Sequence, residues 1–155
     1  MFMIKIFTTP SCSSCRKAKK WLDKYLIEYN EKNIFTQSLT DDDIELMLLN
    51  SENGFDDIIS TRSKVFKEKD LDIEDMLMSE LKDFIIENPS VLKRPIIVDE
   101  TRMQVGYNEE EIRIFIPRKL RQMIMNIKGS EENSEEYEKV VAQYLEEEKQ
   151  RRQLN

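Results

Sequence analysis

Apolar residues change their spacing several times along this chain, and each change predicts an element. Residues 3 to 7, Met3-Ile4-Lys5-Ile6-Phe7, form a short apolar and β-branched run closed by Thr8-Thr9-Pro10, which predicts a strand followed by a loop. Helical spacing begins at once: Cys15, Ala18, Trp21, Leu22, Tyr25 and Leu26 make one apolar stripe on a helix starting near Cys12, with Lys17, Lys20 and Lys24 opposite. Glu28 to Ile34 predicts a second strand. Asp41-Asp42-Asp43 then supplies the acidic first turn of a helix carrying Ile44, Met47 and Leu48. From about 55 to 90 the apolar groups are short (Ile58-Ile59, Val65-Phe66, Leu71, Ile73), until Leu77, Leu81, Phe84 and Ile85 predict a helix that ends before Pro89.

Arg94-Pro95-Ile96-Ile97-Val98-Asp99 and Met103-Gln104-Val105 predict two strands joined by a tight turn at Glu100-Thr101. Asn108 with Glu111 predicts a capping box, opening a helix that buries Ile112, Phe115 and Ile116 and stops or bends at Pro117. Leu120, Met123, Ile124 and Ile127 predict another helix ending at Lys128-Gly129. The resulting order is a βαβ unit followed by a ββα unit, as a thioredoxin-like α/β core requires, with residues about 38 to 90 as a helical insertion. Residues 1–128 are expected to form that domain and 129–155 a C-terminal tail.

Composition narrows the chemistry. The chain has 155 residues, no histidine, two cysteines and three glycines, no two of them adjacent. Histidine acid–base catalysis, Cys-His and Ser-His dyads, and His-containing or four-thiolate metal sites are therefore excluded. Neither a GxGxxG fingerprint nor a P-loop can be written. No apolar run reaches 18 residues and the start lacks the basic and apolar regions of a signal peptide, so a soluble cytoplasmic protein without a membrane partner is expected. The net charge is −7, which argues against strong autonomous DNA binding despite the basic helix 16 to 24. Charge also marks the tail: residues 130 to 155 hold eight acidic and four basic side chains. Tyr137, Val140, Val141, Tyr144 and Leu145 nevertheless keep helical spacing there, so the tail is either a helix, marginal in isolation, or a loosely ordered solubilising segment.

The strongest chemical signal is Cys12-Ser13-Ser14-Cys15 at the strand-to-helix junction, where free N–H groups and the positive helix end stabilise a thiolate, with Arg16 and Lys17 adding charge nearby. In a βαβ context such a pair reads as a redox motif; the bland alternative makes Cys15 a core residue and Cys12 a bystander. Arg62, Arg94 and Lys64 are the candidate cations for an oxyanion, an arginine binding it bidentately, although each alone also reads as a solvated surface charge.

These residues add up to a resemblance. Thr9-Pro10-Ser11-Cys12-Ser13-Ser14-Cys15-Arg16-Lys17-Ala18, Asn33-Ile34-Phe35, Ile58-Ile59-Ser60-Thr61-Arg62-Ser63-Lys64-Val65-Phe66, and Arg94-Pro95-Ile96-Ile97-Val98-Asp99 continuing to Val105-Gly106-Tyr107-Asn108-Glu109 closely resemble the Spx regulators. That family is the transcriptional branch of the arsenate-reductase-like thioredoxin-fold proteins. The resemblance, over about residues 3 to 128, implies a cofactor-free, monomeric protein that is not an enzyme. It would bind the C-terminal domain of the RNA polymerase α subunit under thiol stress and reach DNA only through polymerase. It further implies that Cys12 and Cys15 form a disulfide switch, that Arg94 responds to it, that Gly54 belongs to the surface in contact with the α subunit, and that Arg94-Pro95 is a cis peptide. Clp protease and an adaptor at the C-terminal end are implied partners, and the added tail is expected to alter their recognition. The alternative is a thiol-disulfide or arsenate reductase. Arsenate reductases of this fold carry a histidine where this chain has Thr8 and a third arginine where it has Val105-Gly106-Tyr107, so arsenate turnover is expected to be lost, although Cys12 and Arg16 keep the CxxxR spacing of an anion site and Arg62 and Arg94 keep two of the arginines.

Overall fold

The computed structural model describes residues 3–69, 72–127 and 134–154. Strand β1 (Ile4–Thr8) leads into helix α1 (Ser13–Lys24) and returns as β2 (Tyr29–Asn33), parallel to β1. On its other edge β1 pairs antiparallel with β3 (Ile96–Val98), which turns back into β4 (Met103–Val105), giving the sheet order β2-β1-β3-β4. This mixed sheet is the expected thioredoxin-like α/β core.

Register explains why β1 and β3 are apolar on both faces. Successive side chains in a strand point to opposite faces. Ile4, Ile6 and Ile97 accordingly enter one core with Trp21 and Leu22 of α1 and Tyr25 at its C-cap, while Phe7, Ile96 and Val98 enter a second core on the reverse face. The second core is closed by the insertion. It comprises α2 (Asp41–Leu49), two short helices α3 (Phe55–Ile58) and α4 (Lys64–Glu68), a 3-10 turn at Ile73–Asp75, and α5 (Met78–Glu87). The expected single helix before Pro89 begins later than its apolar pattern suggests: Leu77 is the exposed residue preceding α5, and only Leu81, Phe84 and Ile85 of that group are buried.

The capping box expected at Asn108 is half formed. Its side-chain oxygen accepts from the N–H groups of Glu110 and Glu111, but the segment it opens is a 3-10 helix, Glu111–Phe115. Proline at 117 limits how far an α-helix could extend, and five residues in 3-10 geometry suffice to bury Ile112 and Phe115. Helix α6 (Arg118–Met125) follows; Lys128-Gly129, its expected end, lies outside the described residues, as does Leu71.

The C-terminal segment is a docked helix, α7 (Glu135–Gln153). Ser134 caps it, its hydroxyl accepting from the Tyr137 N–H at 3.2 Å. Tyr137, Val141 and Tyr144, three of the residues on the stripe read from sequence, are buried in the same core as Trp21, Tyr25 and Leu120. Lys119 Nζ meets Glu147 at 3.1 Å, and the Arg152 guanidinium donates to the Leu26 carbonyl across the first βαβ loop. Packing thus supplies what an isolated helix of this charge would lack.

Candidate functional site

The site grows from the β1–α1 junction. Ser11 takes a positive φ of 59° and turns the chain so that Cys12 becomes the N-cap of α1. Its sulfur accepts from the Cys15 N–H at 3.2 Å, satisfying one of the free donors of the first turn. Cys12 is half-buried and Cys15 buried on the apolar stripe of α1, so the two thiols differ in access. Burial, then the hydrogen bond with Cys12, push the Cys15 thiol up to about 12, against the opposing pull of the Thr9 backbone hydrogen bond and the Arg94 charge. Iodoacetamide at pH 8 is therefore expected to label Cys12 while leaving Cys15 intact in the folded protein; equal labelling on peptide mass mapping would contradict this asymmetry.

Thr8, at the end of β1, is buried, and its hydroxyl donates to Glu31 Oε2 at 2.7 Å. Lys19 of α1 binds the same oxygen at 3.0 Å. Burial would raise the Glu31 carboxyl, but the Thr8 hydroxyl and Lys19 ammonium outweigh it and hold the carboxyl below its ordinary range. Strand, helix and β2 are thus tied together around the cysteine loop.

A second group of residues comes from β3 and the insertion. The backbone of Ser60 donates to the Val91 carbonyl at 2.7 Å, and that of Lys93 to the Ile58 carbonyl at 2.8 Å, joining the α3–α4 connection to the lead-in of β3. Arg62 and Arg94 consequently line one open cleft of about 430 Å³ with Ser60, Ser63, Ser90, Leu92 and Lys93. The Arg94–Pro95 bond is cis. Arg94 donates to the Ser90 carbonyl at 3.2 Å and lies 5.6 Å from the centre of the Phe35 ring.

Two expected cations stand apart from this cleft. Lys64 is exposed on α4 and pairs with Glu68 at 3.7 Å, while Arg16 is exposed on the first turn of α1; neither lines the cleft. Gly54 precedes α3 with φ 67° and ψ −134°, a conformation open to glycine, and a β-carbon there would meet nothing within 4 Å. The serines of the cleft, Thr9 and Glu31 carry no periodic signal in the sequence, so only the fold brings them to the site. Among the described residues no cluster of three or more Cys, Asp or Glu is arranged to hold a metal ion.

Residues 7–115 match the model of the ArsC family. The global transcriptional regulator Spx of Staphylococcus saprophyticus is 53% identical to this chain over 119 residues, which make up 77% of this chain and 91% of that protein. This chain belongs to the Spx branch of the ArsC family. Its Staphylococcus aureus relative, also named global transcriptional regulator Spx, is 52% identical over the same shares of both chains. Among solved structures, an ArsC family related protein from Bacteroides fragilis aligns with a TM-score of 0.60 at 30% identity, covering 70% of this chain and 92% of that one. An arsenate reductase from Vibrio cholerae aligns with a TM-score of 0.63 at 19% identity, covering 75% of this chain and 98% of that one, a likeness of fold alone. This chain is the longer partner in each of these alignments.

Proposed function

We propose that this protein regulates transcription under thiol stress by binding the C-terminal domain of the RNA polymerase α subunit, with a Cys12–Cys15 disulfide as the switch. The observation that carries this reading is the cysteine pair: one accessible thiol at a helix N-terminus, its sulfur accepting from the backbone N–H of a second cysteine whose thiol is buried a turn away. That pair sits in a chain 53% identical to a protein named as a transcriptional regulator. Closing the disulfide removes thiolate charge at the helix end and repacks the loop beside Arg94, a local change that alters affinity for a partner. The protein acts as a monomeric, cytoplasmic binding module and not as an enzyme, and it reaches DNA through polymerase. Gly54 forms part of the polymerase contact, as the resemblance implies; a β-carbon there would meet nothing within 4 Å. The C-terminal end meets the Clp protease and its adaptor. No helix among the described residues is long and apolar enough to cross a membrane.

One observation favours a second reading, an arsenate or thiol-disulfide reductase: Arg62 and Arg94 share one polar cleft suited to an oxyanion. Against it, the position of the reductase histidine is taken by Thr8, whose hydroxyl is engaged by Glu31.

The test is a calorimetric titration of the reduced and oxidised protein against the isolated C-terminal domain of the polymerase α subunit. Tighter binding by the oxidised form is the expected result. Equal binding would remove the switch and leave the partner. No binding in either state would overturn the regulator reading in favour of the reductase.

A further inference from the structure

Phe35 is an aromatic residue without a core. It is 52% exposed, yet the turn that carries it is firmly built. Ile34 is buried and its N–H donates to the Thr8 carbonyl at 2.9 Å, fastening the turn to the strand that leads into Cys12. Asn33 Oδ1 accepts from the Phe35 N–H at 3.0 Å, the Asn33 carbonyl accepts from the N–H groups of Thr36 and Gln37, and Gln37 Oε1 accepts from the Asn33 N–H at 3.0 Å. A ring held in this way has one charged neighbour among the described contacts, the Arg94 guanidinium at 5.6 Å. The other recorded hold on that guanidinium is the Ser90 carbonyl at 3.2 Å. Arg94 itself acts electrostatically on Cys15 in the direction that favours the thiolate.

We infer that Phe35 is a positioning residue for the redox pair: its ring holds the Arg94 guanidinium where the positive charge assists closure of the Cys12–Cys15 bond. The inference rests on the redox reading above. With hydrogen peroxide as oxidant, the Cys12 thiolate attacks one peroxide oxygen, water leaves after proton uptake, and Cys12 becomes a sulfenic acid. Cys15 then loses its proton and its sulfur attacks the Cys12 sulfur, releasing the sulfenic hydroxyl as a second water. Two thiols are oxidised to one disulfide and one peroxide is reduced to two waters. Negative charge gathers on the buried Cys15 sulfur only in the second step, so that is the step Arg94 assists. Loss of the ring leaves the guanidinium on a flexible stem with a single carbonyl contact, and its charge acts on Cys15 less persistently.

The experiment is single-turnover oxidation of the full chain, quenched at intervals with dimedone and resolved by mass spectrometry into sulfenate and disulfide. Phe35→Ala is expected to slow disulfide closure about two- to fivefold, the size of an exposed cation–π contact, and to move its pH profile upward while sulfenate formation keeps its rate. Phe35→Trp is expected to restore closure. In an Arg94→Gln background the Phe35 effect is expected to vanish, because the two residues act as one unit. A closure rate unchanged in folded Phe35→Ala, or slowed equally with Arg94→Gln present, would overturn the inference and leave the redox reading standing. Wild-type protein that accumulates sulfenate without closing the disulfide would overturn both.

Discussion

Tyr144→Ala is expected to lower stability by about 3 kcal/mol, toward the lower end of what removing a buried aromatic side chain costs. Tyr144 is 4% exposed and packs in the core that contains Ile4, Trp21, Phe115 and Leu120. For a chain of this size that loss corresponds to a fall in Tm of about 10 °C, read directly by calorimetry. The physical point is where α7 derives its order. Nineteen residues with this much charge hold a marginal helix in water, and the helix persists because Tyr137, Val141 and Tyr144 are buried against α1 and α6. Hydrogen exchange in the same variant is expected to show the amides of 135–153 losing protection first, with β1 and β3 following only on global unfolding. A Tm within 2 °C of wild type would mean that α7 contributes nothing to the core. Under the proposed reading, in which a Clp protease and its adaptor act on the C-terminal end, degradation of the same variant is expected to be faster than that of wild type.

Asp43→Asn is expected to cost about 2 kcal/mol at pH 7, below the range for a fully buried pair because the partner lysines retain some solvent. Asp43 is 1% exposed at the third position of α2. Its carboxylate accepts from Lys32 Nζ at 2.6 Å, Lys5 Nζ at 3.4 Å and the Thr40 N–H at 3.0 Å, while its own N–H donates to the Thr40 hydroxyl. Burial acts to raise the carboxyl, and Lys32, the Thr40 N–H and Lys5 outweigh it, so that it titrates below its ordinary range when folded. The sign follows from linkage. A depressed carboxylate contributes stability that is fully present above its unfolded value of about 4 and is lost as the pH falls through the lower folded value. The gap between wild type and Asp43→Asn is therefore expected to be widest near neutrality and to shrink below pH 4, measured by urea denaturation at pH 7 and pH 3. A gap that stayed constant across that range would show that the charge of Asp43 is not what stabilises α2 on the sheet.

The elements legible from sequence were those whose signal is local. The run 3–7, the stripe from Cys15 to Tyr25 and the pair of strands around Glu100-Thr101 each carry their periodicity within a dozen residues, and all three form where expected. The cysteine pair was legible for the same reason, since a strand, a turn and a helix start fit into residues 4 to 15. Where the pattern was weak, competing geometry decided. Leu77 fits the spacing of α5 yet is left outside it, and the segment after Asn108 winds as a 3-10 helix ahead of Pro117.

What the sequence determined by itself was the alternation of βαβ and ββα units, the chemistry excluded by the lack of histidine, and the placement of two thiols at a helix start. Tertiary structure alone decided which distant groups meet. Arg62 and Arg94 share a cleft because the Ser60 and Lys93 amides bond across to Val91 and Ile58. Arg94 stacks on Phe35, 59 positions earlier in the chain, because the turn after β2 is tied to β1. The amphipathic pattern of α7 named the face that would be buried, but not the α1 and α6 surface that buries it. The reason is the same in each case: periodicity encodes which side of an element avoids water, whereas the identity of the opposing surface depends on how the whole chain closes.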